Sequence, residues 1–305
     1  MKFKKIIAVS LASLCMITGF SGAATVKADQ VETPYLSLGA DLDASEKATV
    51  LDLLDVDENK LDDYIVVTVT NQEEHDYLGA YLDDSLIGTR ALSSVVVEHR
   101  PKGTGIDVKT NNITYCTTGM YQNALVTAGV KNAEIRVAGP YNITGTAALV
   151  GAMKAYSAMT GKSIEPENAT AATEELITTS ELGESIGDQT QAENLIGAVK
   201  DIIVSEDITN PEKIQAVIED TAEELRVSLS PEDIEKIKSL MKKISELDLD
   251  VEALKEQAKD LYKRLENLDL NLNLNIDKEE VKGFLDTLLS WFQKAFEQLK
   301  SWLAN

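Results

Sequence analysis

The pattern of strand and helix signals changes once along this chain, near residue 162, and that change limits what it can fold into. Upstream, Ile65-Val66-Val67-Thr68-Val69-Thr70 is rich in β-branched residues and reads as a buried strand. Residues 92–98 and 106–115 read as two strands joined through a turn at 101–105, and 133–138 as another short strand. Residues 44–54, 73–82, 120–128 and 146–159 suit helices. This interleaving predicts an α+β fold: a mixed α/β N-terminal domain over 29–162, with one sheet and packed helices.

Strand signals then give way to an all-α helical region over 163–267. Pro166, Pro211 and Pro231 each open an acidic, helix-patterned stretch, where a missing N–H costs nothing. Asn210 and Ser230 stand where side-chain caps are needed. Ile214, Val217, Ile218 and Leu225 share a helical face. Ile234, Ile237, Met241 and Ile244 follow a 3-4-3 spacing, as do Val251, Leu254, Ala258, Leu261, Leu265 and Leu268. Asp248-Leu249-Asp250 interrupts that register, and Asp250 is a fair N-cap, so a helical hairpin is expected ahead of a continuous coiled coil. Residues 268–276 alternate Leu or Ile with Asn or Asp and read as a linker, and 277–305 as a C-terminal amphipathic helix.

The first 28 residues read as a signal peptide. Three lysines precede an uncharged apolar run over 6–20, and Val26-Lys27-Ala28 fits a cleavage site, so the protein is expected to be secreted, with Asp29 first in the mature chain. Cys15 is preceded by Leu14 where a lipoprotein needs a small residue. Cleavage removes four lysines and no acid, taking the formal charge from −22 to −26 and leaving Cys116 as the one cysteine. A charge of that sign excludes unaided nucleic-acid binding and opposes attraction to anionic lipid or wall polymers.

Beyond the leader, every Phe and Trp lies between Phe284 and Trp302. Phe284, Leu288, Trp291, Phe292, Phe296, Leu299 and Trp302 fall on one face of a helix, within about 160° of arc, with Lys, Asp, Glu, Gln and Ser opposite. Three uses compete: docking on the protein's own core, seating in a protein partner or a second copy, and weak contact with a membrane surface. The polar face has three lysines against two acids, less basic than interfacial helices usually are.

Little in the sequence nominates chemistry. Cys116 stands between a strand and a helix, where a thiol can be activated, with His75 or His99 as a distant base; a buried small hydrophobe is the commoner outcome. Two histidines separated by 23 residues make no zinc site, and Asp55-Val56-Asp57-Glu58-Asn59 lacks the glycine and final glutamate of a calcium loop, so neither metal nor cofactor is expected. The connection from Gly139 to Ala148 is richer: Asn142, Thr144, Gly145 and Thr146 combine small and hydroxyl residues at a helix start, where backbone N–H groups can receive an anion or peptide terminus. Tight packing is the competing reason for small residues there.

Several segments carry a resemblance: Ser37-Leu38-Gly39-Ala40-Asp41-Leu42, Met120-Tyr121-Gln122-Asn123-Ala124-Leu125-Val126-Thr127-Ala128-Gly129, Val137-Ala138-Gly139-Pro140 with Gly145-Thr146-Ala147-Ala148-Leu149, and Leu240-Met241-Lys242-Lys243-Ile244 with Leu247-Asp248-Leu249-Asp250. Together they resemble the YpuA-like family of secreted Gram-positive proteins, a domain of unknown function. The resemblance implies an extracytoplasmic protein of about this length and supplies no catalytic residues; the Phe/Trp-rich tail matches it least. The expected function is non-enzymatic binding in or around the Gram-positive envelope, with a secreted hydrolase or thiol enzyme using Cys116 or a carboxylate pair as the alternative. Truncation after Ile276 sorts the three uses of the last helix. Core docking leads, so the shortened protein is expected to lose solubility or thermal stability; an unchanged melting curve would leave only the two outward-facing uses.

Overall fold

Five β-branched and apolar segments pair into a single mixed sheet, and helices cover both of its faces. The computed structural model describes residues 33–250, 253–254 and 256–258. In chain order the elements are β1 (Tyr35–Gly39), α1 (Ala44–Leu53), a 3-10 turn (Glu58–Asp63), β2 (Ile65–Val69), α2 (Asn71–Leu78), α3 (Asp84–Ile87), β3 (Ser94–His99), β4 (Ile106–Ile113), α4 (Thr118–Thr127), β5 (Ala133–Ile143) and α5 (Thr146–Thr160). Four longer helices follow: α6 (Pro166–Ile186), α7 (Gln189–Ser205), α8 (Pro211–Glu224) and α9 (Pro231–Ile244).

The strand order is β2-β1-β3-β5-β4. β1 runs parallel to β2 and β4 parallel to β5, while β3 is antiparallel to both of its neighbours. The strands either side of the 101–105 turn are therefore joined but not paired, because β5 inserts between them. No hairpin forms: the link includes Gly103 at φ 83° and Gly105 at φ 70° and carries the chain past the space that β5 fills. β5 is also longer than expected. It continues through Gly139-Pro140 to Ile143, made possible by an irregularity between Asn111 and Ile113 that restores pairing of Ile113 with Ile143.

Alternation along the strands sends side chains to two cores. Leu36, Leu38, Val96 and Ala138 face α1 and pack on Val50, Leu51 and Leu54. Tyr35, Val95, Val97, Ile135 and Val137 face the other way, onto α4 and α5, and this core continues without a break into α6–α9. The two parallel crossovers, β1-α1-β2 and β4-α4-β5, step the same way across the sheet, yet their helices lie on opposite faces. They therefore have opposite hands, although right-handed crossovers are strongly preferred.

Sequence-level helix punctuation holds in detail. Pro166, Pro211 and Pro231 are first-turn residues, Asn210 accepts from the Lys213 N–H, and Ser230 and Asp233 form a capping box. Asp250 accepts from Ala253 N–H at 3.1 Å, so the helical register does break at 248–250. Leu249, Leu254 and Ala258 join the main core. The rest of the second hairpin arm, the linker and the C-terminal helix lie outside the described residues.

The α4, α6 and α7 interface encloses charge. Lys200 and Glu175 are both fully buried, with the ammonium 2.9 Å from the carboxylate. Lys200 Nζ also donates to Asn123 O at 2.9 Å and Thr127 Oγ1 at 3.2 Å, and Thr127 Oγ1 donates to Glu175. Asn123 donates to Glu193 O and accepts from the buried Gln257, which ties the segment after α9 to the same network. Removing one partner of such a pair strands a charge in the core, whereas removing both does not. Lys200→Met should therefore lower unfolding free energy in urea by about 3–5 kcal/mol, and Lys200→Met with Glu175→Leu should recover more than half of the loss.

Candidate functional site

The first turn of α5 forms one wall of the cleft that holds most of the polar residues read from the sequence. α5 begins at an unusual cap. Gly145 sits at φ 98° and ψ 7°, in left-handed backbone that a side chain resists, and as the N-cap it has no side chain of its own to cap the helix. A Cβ at Gly145 would stand 2.6 Å from Ile113 Cγ2 and 2.7 Å from the Tyr121 hydroxyl, so the position is held for glycine on two grounds. The Tyr121 hydroxyl donates to Gly145 O at 2.5 Å, and Cys116 N–H donates to Thr144 O at 3.1 Å, so the turn is fastened from below by α4 and the residues before it.

Above this turn opens a cleft of about 290 Å³. Thr144, Gly145, Thr146 and Ala147 form one wall. Ser85, Leu86, Ile87, Gly88, Thr89 and Arg90, which span α3 and the segment after it, form the other; Glu74, Leu92, Ser93, Tyr141 and Ile143 complete the lining. Of the four residues nominated in this connection, Thr144, Gly145 and Thr146 line the cleft. Asn142 does not: it is an exposed residue of the extended β5. The helix start is also less open to an anion than its composition suggests, because Ala148 N–H is taken by Ser93 Oγ at 2.9 Å.

Glu74 is the residue the sequence reading missed. It lies on α2, is 1% exposed, and accepts from Thr146 Oγ1 at 2.9 Å and Asn71 Nδ2 at 3.4 Å. Burial pushes its carboxyl up to about 7, against weaker opposing pulls from those two hydrogen bonds and from His75; Asp41 adds to the rise. In sequence it looks like half of a solvated Glu73-Glu74 pair. The usable signal was spacing: Glu74 is four residues from buried Leu78, so it shares that inward face. Glu73, by contrast, caps α2 with Thr70 and pairs with Lys154.

Other charges around the cleft are spoken for. Arg90 pairs with Glu46, at 3.0 and 2.6 Å, and donates to Asp41 O at 2.7 Å. Asp41 accepts from Ala91 N–H at 2.8 Å. His75 Nε2 lies 3.2 Å from Gly88 O and its Nδ1 3.4 Å from Asp84. Tyr141 stands at the rim, half exposed.

Cys116 is 1% exposed, and burial pushes its thiol up to about 12 despite contact with the Tyr121 hydroxyl. It is therefore a packing residue beneath the turn. A thiol held protonated and away from solvent is a poor nucleophile. The acidic stretch at 55–59 is a capped turn in which Asp57 accepts from Asn59 N–H, and no group of His, Cys, Asp and Glu among the described residues is placed to hold a metal ion. Phe284, Leu288, Trp291, Phe292, Phe296, Leu299 and Trp302 lie outside the described residues. No helix among the described residues is long and apolar enough to cross a membrane.

The raised Glu74 carboxyl links stability to pH. Folded, it keeps its proton to about 7; unfolded, it releases it near the ordinary 4.5. The stability it lends is complete below about pH 4.5 and is lost as pH rises through 7. Gln at this position cannot ionise, so Glu74→Gln should be more stable than the parent at pH 8, by about 3 kcal/mol, and equal to it near pH 4. Urea unfolding of parent and variant at the two pH values checks this; an advantage of the variant over the parent no larger at pH 8 than at pH 4 would contradict it.

Comparison with known proteins places the chain. No solved structure matches it. It is 36% identical over 267 residues to the uncharacterized protein YpuA of Bacillus subtilis (strain 168), covering 87% of this chain and 88% of that one. Residues 38–261, which run from the first strand to just past Gln257, match the model of a family described as protein of unknown function (DUF1002), and the chain belongs to that family.

Proposed function

We propose that the protein is exported and acts outside the membrane as a non-enzymatic binding protein of the Gram-positive envelope or its surroundings, with the cleft between α3 and the start of α5 as its recognition site. The observation that carries this is a contrast in access. The one thiol of the expected mature chain is enclosed in the core, whereas Thr144, Gly145 and Thr146 line an open cleft floored by a buried carboxyl. Clefts with apolar walls and a few fixed polar groups are the usual form of small-ligand sites. A positively charged start, an uncharged apolar run and small residues near Ala28 support export, and the similarity to a Bacillus protein supports the setting.

Should the Phe/Trp face of the last 29 residues not dock on the protein's own core, the use it would serve is contact with a protein partner or another copy, ahead of a weak membrane-surface contact. The thiol form of the enzyme alternative needs a reactive Cys116, and its burial and raised pKa weigh against that form.

Expression of the full chain in a Gram-positive host tests the reading. The protein should be recovered from the medium or wall fraction with Asp29 as its first residue. Full-length protein retained in the cytoplasm would overturn export. Alkylation by iodoacetamide at pH 8 should leave Cys116 unmodified in the folded protein and modify it in urea; rapid modification of the native chain would revive the thiol enzyme.

A further inference from the structure

Two glutamates in this structure are equally buried and differently provided for. Glu175 has Lys200 at 2.9 Å, in the middle of the helical interface. Glu74, 1% exposed, has only the neutral partners Thr146 and Asn71, and among the described residues no lysine or arginine pairs with it. A buried carboxylate without a cation is costly, and a fold that has placed a lysine on one such group shows that the cost can be met internally. What Glu74 has instead of a lysine is an open cleft of about 290 Å³ at its side.

The surroundings of the cleft have the sign that suits a cation. Asp41, Glu46 and Glu74 stand there against Arg90, whose guanidinium is held by Glu46 and by Asp41 O. His75, from the same helix as Glu74, is turned to Gly88 O and Asp84. Thr146 on α5 brings a hydroxyl to the carboxyl and no charge. The walls supplied by Leu86, Ile143 and Ala147 are apolar, and half-exposed Tyr141 offers an aromatic face at the rim, where a cation or the methylenes next to it can lie.

We propose that this cleft binds a small primary amine as its ammonium, with Glu74 as the counter-charge, Thr144 and Thr146 as hydrogen-bonding groups, and the Leu86–Ile143 walls taking a short alkyl body. This rests on the cleft being the recognition site and names the chemistry of what it recognises. The ligand class is an amine-terminated chain, such as a free amino group on a short aliphatic stem. The binding ammonium supplies the positive charge that the fold supplies to Glu175 through Lys200. Ionised Glu74 is the binding form, so affinity rises with pH through the neutral range and falls as the carboxyl takes up its proton.

Three probes of one size and different charge test this: n-butylammonium, n-butanol and butyrate, titrated into the full mature chain at pH 8 and followed by amide NMR at Gly88, Gly145 and Thr146. Butylammonium is expected to shift these resonances saturably, in the millimolar range that so small a ligand permits. Binding should weaken at least tenfold at pH 5 and in Glu74→Gln; Tyr141→Ala should weaken it several-fold. The pH comparison needs no variant and so stands if a substitution impairs folding. Saturable shifts from butanol as strong as from butylammonium would overturn the amine proposal while leaving the cleft as a binding site. Preference for butyrate would overturn it in favour of an anion at the start of α5. No response to any probe overturns the amine proposal, and the export reading is then judged by its own fractionation result.

Discussion

The Lys200–Glu175 pair is the constraint on which the helical half depends. Taking either ion out of water alone costs several kcal/mol, so packings that separate the two are strongly disfavoured. Lys200 comes from α7 and Glu175 from α6, and the ammonium is also held by Asn123 O and Thr127 Oγ1 of α4. One buried charge thus fixes three helices in register. The chain from Asn123 to Gln257 extends the same constraint to the segment after α9. Because α4 also packs on the sheet, the register of the helices is passed to the strands through the core that contains Met120, Leu125, Ile135 and Val137.

Against this satisfied charge, Glu74 stands out. The sheet end of the molecule has the same chemical problem and a different answer: a carboxyl under a cleft, hydrogen-bonded but without a cation, beside a helix start that only glycine can make. Stability is given up there near neutral pH, and sites where a fold gives up stability are disproportionately sites of function. Cys116, which sequence alone read first as a buried small hydrophobe, supports this turn from below, through its N–H on Thr144 O and its contact with Tyr121.

Much of this was legible in sequence because it follows from local rules. β-branched runs gave strands, the three prolines gave helix starts, and Asp250 marked the break in register. The order of strands was not legible, since pairing across the 101–105 turn depends on a segment 30 residues further on that fills the gap. The length of β5 was missed for a similar reason: Gly139-Pro140 reads as a stop, and only pairing of Ile113 with Ile143 carries the strand past it. The change of pattern near residue 162 records where strands end; the main core runs across it, because composition reports element type and not packing. Of the turn residues, Thr144, Gly145 and Thr146 could be found by their small and hydroxyl character. Glu74 could not be found by type among 51 acids, only by its spacing from Leu78.

The central claim is that Glu74 is a buried carboxyl awaiting a cation from outside the fold. The carboxyl carbon signal of Glu74, followed by carbon-13 NMR across pH 3 to 9, tests it most directly. The account predicts a midpoint near 7 in the free protein and a lower midpoint in saturating n-butylammonium. A midpoint at the ordinary glutamate value of 4.5 in the free protein, unmoved by the amine, would contradict it.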